Sequence, residues 1–213
     1  MKYDAVIFDL DGTLLDTLED LANSVNFALK TYGMAERTLC EIRSFVGTGI
    51  GNLIKKSVPE GTGSEKCAEV LDTFRNHYKD HSADMTKPYD GVLSLLSDLR
   101  AAGAFVAVVS NKVDIAVQML VKRYFDGLID VAVGELEGVN RKPEPDTVFI
   151  AMEKMGVKNA VYIGDSEVDV KTAENASLDG VFVSWGFRTE DDLRSAGAEI
   201  VVHNTGELWE VLK

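Results

Sequence analysis

Two carboxylates, Asp9 and Asp11, close a strongly apolar run, and Gly12 and Thr13 stand directly behind them in the stretch AVIFDLDGTLLDT. A carboxylate at the end of a buried strand serves as a nucleophile or as a ligand for a hard cation. Asp11 reaches the same spot only if the backbone turns, and Gly12 permits that turn. Thr13 then offers a hydroxyl and a backbone N–H to an anion. Further polar groups close later apolar stretches, Ser110 and Asn111 in SNK and Asp165 with Asp169 four residues on in VYIGDSEVDV, and Lys142 in RKPEPD stands just before a helix.

Such residues need strands to carry them. Near-continuous Val/Ile/Ala runs predict buried strands over 3–8, 105–110, 128–133, 160–163 and 181–184, with a weaker sixth over 199–202. Unbroken apolar content points to strands covered on both faces, as in a parallel sheet. Helical spacing lies between them: Val92, Leu95, Leu96 and Leu99 before Gly103; Val117, Leu120, Val121 and Tyr124; Val148, Ala151, Met152 and Met155 before Gly156. This alternation predicts an α/β fold with a doubly wound, mainly parallel sheet. In such sheets ligands bind beyond the carboxyl ends of the strands, where Asp9 falls.

One region breaks the alternation. From Asp16 to about Met85 the pattern is helical, with Leu18, Leu21, Ala22, Val25 and Tyr32 on one face. Thr17, with Asp20 three residues on, reads as its N-terminal cap, and Gly33 as its stop. Further helices are expected from near Thr38, near Gly51 and over 65–81.

The chain has 213 residues, 46% of them hydrophobic, and a formal net charge of −13. That composition supports a real core. So acidic a surface disfavours nucleic acid as a partner. Cys40 and Cys67 lack metal-ligand spacing and read as reduced thiols, and the start of the chain has no signal-peptide profile. The expectation is a cytoplasmic protein with no membrane association, a monomer or homodimer, acting on a small molecule. His77 and His81 share a helix face but lie outside any HExxH pattern; a solvated face accounts for them.

The stretch FDLDGTLLDT resembles the first motif of the haloacid dehalogenase-like superfamily, and the other motifs follow in order along the whole chain. The resemblance implies a Rossmann-like core over 1–15 and 86–213 with a helical cap over 16–85. It implies that Asp9 is the nucleophile, forming an aspartyl-phosphate, and that Asp11 is the general acid and then base. Ser110 would hold the phosphoryl group, helped by the Asn111 N–H, and Lys142 would balance charge. Asp9, a backbone carbonyl at Asp11, Asp165 and Asp169 would hold Mg²⁺, directly or through water. A second aspartate at position 11 favours a phosphatase or mutase, since dehalogenases of the superfamily lack an acid there. The chemistry demands local positive charge: like charges about 4 Å apart repel by roughly 4 kcal/mol at an effective dielectric near 20. Mg²⁺ and Lys142 would offset that repulsion.

Within the helical region, RSFVGTGIGNLIKKS resembles the cap loop of phosphoglycolate phosphatases. Arg43, Thr48 and Lys55 or Lys56 are its candidates for a substrate carboxylate. The implied activity is hydrolysis of a small phosphate monoester, with 2-phosphoglycolate as the substrate. Pyrophosphatase, sugar-phosphate phosphatase and β-phosphoglucomutase-like activities are the alternatives, with a phosphonoacetaldehyde hydrolase using Lys55 or Lys56 and a non-catalytic binding protein behind them.

Overall fold

The computed structural model describes residues 1–213. The chain forms two compact units, one of Met1–Leu15 with Pro88–Lys213 and one of Asp16–Lys87.

The first unit is built on a six-stranded sheet. Its strands are β1 (Ala5–Phe8), β4 (Phe105–Val113), β5 (Val131–Glu135), β6 (Ala160–Gly164), β7 (Asp179–Val183) and β8 (Val201–Val202), in the order β5-β4-β1-β6-β7-β8. Every pairing in it is parallel. Helices α5 (Val92–Ala101), α6 (Asp114–Phe125), α7 (Asp146–Met155), α8 (Glu167–Ala176), α9 (Glu190–Ser195) and α10 (Thr205–Leu212) complete the unit. The two remaining strands, β2 (Leu15–Asp16) and β3 (Lys87–Pro88), pair in a short ribbon where the chain leaves this unit and returns.

Both faces of the sheet are covered, which explains the unbroken apolar runs. Ala5, Ile7, Ala107, Val109, Val133 and Tyr162 pack with Val148, Ala151 and Met155 of α7 and Val170 and Ala173 of α8. The alternate residues Val6, Phe8, Val106, Val108, Val161 and Ile163 are equally buried. Each fully buried aliphatic side chain contributes roughly 1.5–3 kcal/mol.

The edges of elements depart from the sequence reading in informative ways. The 128–133 run starts as a turn: Leu128 N–H donates to the Phe125 carbonyl, and Gly127 has φ 76°. The strand begins only at Val131. On α6 it is Phe125, not Tyr124, that is fully buried beside Val117 and Leu120. β4 does not stop at Ser110 but runs to Val113, with its register against β5 shifting between Val109 and Val113.

The second unit is helical: α1 (Leu18–Thr31), α2 (Leu39–Phe45), α3 (Ile50–Ser57) and α4 (Ser64–His81). Leu18, Leu21, Ala22, Val25, Ala28 and Leu29 are the buried face of α1; Val70, Phe74 and Tyr78 are that of α4. Tyr32 is not part of this apolar face; half-buried past the end of α1, it places its hydroxyl 3.0 Å from Thr73 Oγ1. Thr38 and Glu41 form a reciprocal capping box at the start of α2. The expected Thr17–Asp20 cap does not form, since Thr17 makes no side-chain capping bond. Asp20 turns instead to the far end of the insertion. It accepts from Met85 N–H at 3.0 and 3.1 Å, from Thr86 N–H at 2.8 Å and from Thr86 Oγ1 at 2.7 Å. The local pairing gives way to a carboxylate that gathers two main-chain donors and a hydroxyl at once.

Candidate active site

Strand register brings the motifs together. Phe8 is level with Val108 on one side and Ile163 on the other. The residues just beyond, Asp9, Ser110 and Asp165, therefore emerge at the same edge of the sheet. Asp9 N–H donates to the Ile163 carbonyl at 2.8 Å, which fixes the first carboxylate on β6. The chain then turns at Gly12, with φ 92°, a value that L side chains rarely adopt; a Cβ there would lie 2.3 Å from Asp165 Oδ2.

Lys142 is the hub of a buried network. Its Nζ donates to Asp9 Oδ1 at 2.7 Å, to Asp169 Oδ1 at 2.9 Å and to the Tyr162 hydroxyl at 3.0 Å. Tyr162 in turn donates to Asp169 Oδ1 at 2.9 Å. The other oxygen of Asp169 accepts from Ser166 N–H, Ser166 Oγ and Asp165 N–H at 2.6–3.3 Å. Both oxygens of Asp169 are thus committed to anchoring Lys142 and the start of α8. Burial pushes the Lys142 ammonium down, but Asp169 and Asp9 outweigh it and hold its pKa well above the ordinary lysine value.

Asp9, Asp165 and Asp169 are buried, and one oxygen from each lies within 4.8 Å of the others. Burial raises the Asp9 carboxyl to about 7, against the lowering effect of Lys142 and with further upward pressure from Asp169. Burial, then Asp169 and Asp9, hold Asp165 well above the usual carboxylate range. Clustered carboxylates that resist ionising fit a divalent cation, which supplies the missing positive charge. The donors are all oxygen, which suits a hard cation. The Asp11 carboxylate is not a member of this group of three.

Asp11 is held elsewhere. Lys112 Nζ donates to its two carboxylate oxygens at 2.8 and 3.1 Å. The Lys112 main-chain N–H donates to Ser110 Oγ at 3.2 Å, and Asn111 Nδ2 donates to the Lys142 carbonyl at 3.0 Å. The irregularity in β4 places three consecutive residues in the site.

The loop after β7 clamps the first motif. Trp185 Nε1 donates to the Thr13 carbonyl at 3.0 Å, and Phe187 N–H donates to Asp165 Oδ2 at 2.7 Å. Between them, Gly186 lies so close that a Cβ would sit 2.2 Å from the Gly12 carbonyl oxygen. The Thr13 hydroxyl donates to Asp165 Oδ1 at 3.1 Å. In this arrangement the hydroxyl orients a carboxylate. Arg43 and Thr48 belong to the helical unit, both exposed, Arg43 on α2 and Thr48 in the α2–α3 loop.

Three contributors, Lys112, Tyr162 and Gly186, escape the sequence reading. Lys112 looked like a residue past the end of a strand. Tyr162 read as one more apolar strand position, although a phenol in a wholly buried strand signals a polar partner. Gly186 carried no signal of its own, while Trp185 and Phe187, just past a strand end, read equally as a wall of the site and as core packing.

Comparison with known proteins agrees with this geometry. The profile of a family described as haloacid dehalogenase-like hydrolase matches residues 6–183. A phosphoglycolate phosphatase of Caulobacter vibrioides is 32% identical, covering 93% of this chain and 86% of the relative. One from Xanthomonas campestris pv. campestris is 31% identical over 97% of this chain and 95% of its own length. A crystal structure from Lactobacillus delbrueckii subsp. bulgaricus, provisionally named a phosphoglycolate phosphatase, is 37% identical with a TM-score of 0.95, covering 100% of this chain and 99% of its own. No helix of the chain is long and apolar enough to cross a membrane.

Proposed function

The chain belongs to the haloacid dehalogenase-like hydrolases and acts on phosphate esters, and from that premise we propose that it is a Mg²⁺-dependent phosphatase of small phosphate monoesters, 2-phosphoglycolate foremost. The observation that carries this reading is the pairing of two aspartates with two separate lysines: Asp9 with Lys142, Asp11 with Lys112.

Asp9 is the nucleophile. Its carboxylate oxygen bonds to phosphorus as the ester P–O bond breaks, and Asp11 gives a proton to the departing alkoxide. Water then attacks the aspartyl-phosphate, Asp11 takes its proton, and the bond between phosphorus and Asp9 breaks to release inorganic phosphate. Lys142 balances the charge that gathers on Asp9 and the phosphoryl oxygens. Ser110 accepts from Lys112 N–H, which leaves its own proton for a phosphoryl oxygen; the Asn111 side chain secures the Lys142 loop, and its N–H is a further donor for the phosphoryl group. Asp9, Asp165 and the Asp11 carbonyl would hold Mg²⁺, with Asp169 anchoring them from behind; the ion supplies two positive charges against the phosphoryl group. Thr13 supports Asp165.

The substrate reading rests on the relatives of 31 and 32% identity, each spanning nearly the whole chain, and on the RSFVGTGIGNL stretch. Arg43 and Thr48 are the donors suited to a substrate carboxylate. The core of the site divides as 1–15 and 86–213, with 16–85 as the cap.

The test is phosphate release from 2-phosphoglycolate, with Mg²⁺ and with excess chelator, beside sugar phosphates and pyrophosphate. A metal-dependent preference for 2-phosphoglycolate is expected. Preference for another ester in the panel would discard that substrate, and turnover unaffected by chelator would discard the metal.

A further inference from the structure

We infer that Lys112 is the positioning residue of the acid–base aspartate: it fixes the Asp11 carboxylate for the leaving-group oxygen and keeps it out of the Asp9–Asp165–Asp169 cluster. The inference rests on the phosphatase reading above and deepens it.

Three observations carry it. Lys112 is buried, its side chain only 7% exposed, inside a strand that is otherwise apolar up to Val109. A lysine in such a place has a high cost unless its charge is matched. The matching group is Asp11, whose two oxygens the ammonium grips at 2.8 and 3.1 Å. A contact to both oxygens fixes the plane of the carboxylate as well as its position. Finally, the same residue binds Ser110 Oγ through its main chain. Lys112 therefore sets the relative placement of the phosphoryl-holding hydroxyl and the proton-transferring carboxyl.

The division of labour follows from charge. Four carboxylates and two ammonium groups crowd this edge of the sheet. With Lys142 alone, Asp11 would compete with Asp169 for the one cation beside Asp9. A second lysine, rooted on a different strand, gives Asp11 its own partner. Asp11 then stays apart from the acidic cluster, free to carry a proton between leaving group and water.

Leaving-group chemistry tests this. In the transfer to Asp9, an alkyl phosphate expels a strongly basic alkoxide and needs the proton from Asp11, while 4-nitrophenyl phosphate expels a weakly basic phenolate and needs it far less. The water step that follows is common to both esters, so kcat/KM, which reports the transfer step, is the readout. Lys112→Met is expected to lower kcat/KM on 2-phosphoglycolate, or on the best alkyl ester of the panel, by about 10²-fold. On 4-nitrophenyl phosphate kcat/KM is expected to fall by less than about tenfold. Lys112→Arg restores part of the alkyl ester rate. In the Asp11→Asn background, Lys112→Met costs nothing further on either ester. That double variant also removes both charges together, so its comparison with Asp11→Asn stands even if Lys112→Met alone does not fold.

Equal losses of kcat/KM on the two esters would overturn the inference, as would an undiminished effect of Lys112→Met in the Asp11→Asn background. A wild-type protein inactive on every phosphate ester would instead sink the phosphatase reading, and the inference with it.

Discussion

Lys142 Nζ stands 2.7 Å from Asp9 Oδ1 and 2.9 Å from Asp169 Oδ1, so one ammonium joins the end of β1 to the first turn of α8. Lys142→Met leaves two buried carboxylates facing each other. It is expected to cost about 3–5 kcal/mol of stability, read from denaturant midpoints. A loss below about 1 kcal/mol would show that the network is dispensable for folding.

Asp9→Asn separates chemistry from stability. The amide keeps the shape and drops a charge that burial already disfavours. Turnover should fall by at least ~10³-fold, while the thermal midpoint changes little. Appreciable phosphate release from a clean preparation would refute the nucleophile assignment.

The metal-free protein should lose stability as pH rises from about 4 to about 7. Asp9 titrates near 3.8 when unperturbed and at about 7 in the fold. Between those values the folded state holds a proton that the unfolded chain has released, so raising the pH favours unfolding. Asp165 is shifted in the same direction. Mg²⁺ should therefore raise the thermal midpoint more at pH 8 than at pH 5. The reverse order would remove the cation from this cluster.

Gly186→Ala tests the clamp over the first motif. The added methyl would meet the Gly12 carbonyl at 2.2 Å and Asp165 Oδ2 at 2.4 Å. Backbone is on one side and a ligand candidate on the other, so neither yields cheaply. Expected is a loss of ~1–3 kcal/mol from overpacking and a sharp rise in the Mg²⁺ concentration needed for activity. Unchanged Mg²⁺ dependence would show that the loop does not shape the site.

Asp20→Ala removes the carboxylate that two main-chain N–H groups and the Thr86 hydroxyl share, while that hydroxyl keeps the Ser82 carbonyl at 3.2 Å. A stability loss of about 2–4 kcal/mol follows if those donors stay buried. Hydrogen exchange at Met85 and Thr86 reads the effect directly. Protection unchanged in the variant would show that water replaces the carboxylate.

The sequence revealed what repeats locally and hid what depends on register. The strands were legible because a doubly covered strand is a continuous apolar run. Asp9, Ser110, Lys142 and Asp165 were legible because polar groups closed those runs or opened a helix. Lys112 was not, since no local pattern announces that a strand will break its alternation and resume. Asp20 misled for the opposite reason: its spacing from Thr17 satisfies a capping pattern, yet donors 65 and 66 residues away take the carboxylate. Thr13 was legible in its turn but its bond to Asp165 was not, because the nearness of Asp165 is a product of the β1–β6 pairing.

The irregular stretch of β4 also sets a rule for how this segment tolerates change. In a regular strand, neighbours face opposite sides, and swapping one aliphatic residue for another alters only volume. Ser110, Asn111 and Lys112 instead reach three different partners at one edge. Their aim depends on how many residues separate Val109 from Val113, where pairing with β5 resumes. The spacing of this segment is thus constrained more tightly than the identity of Val106 or Val108. A single inserted or deleted residue there would disconnect Asp11 and Lys142 from their supports at one stroke, with every side chain of the site still encoded.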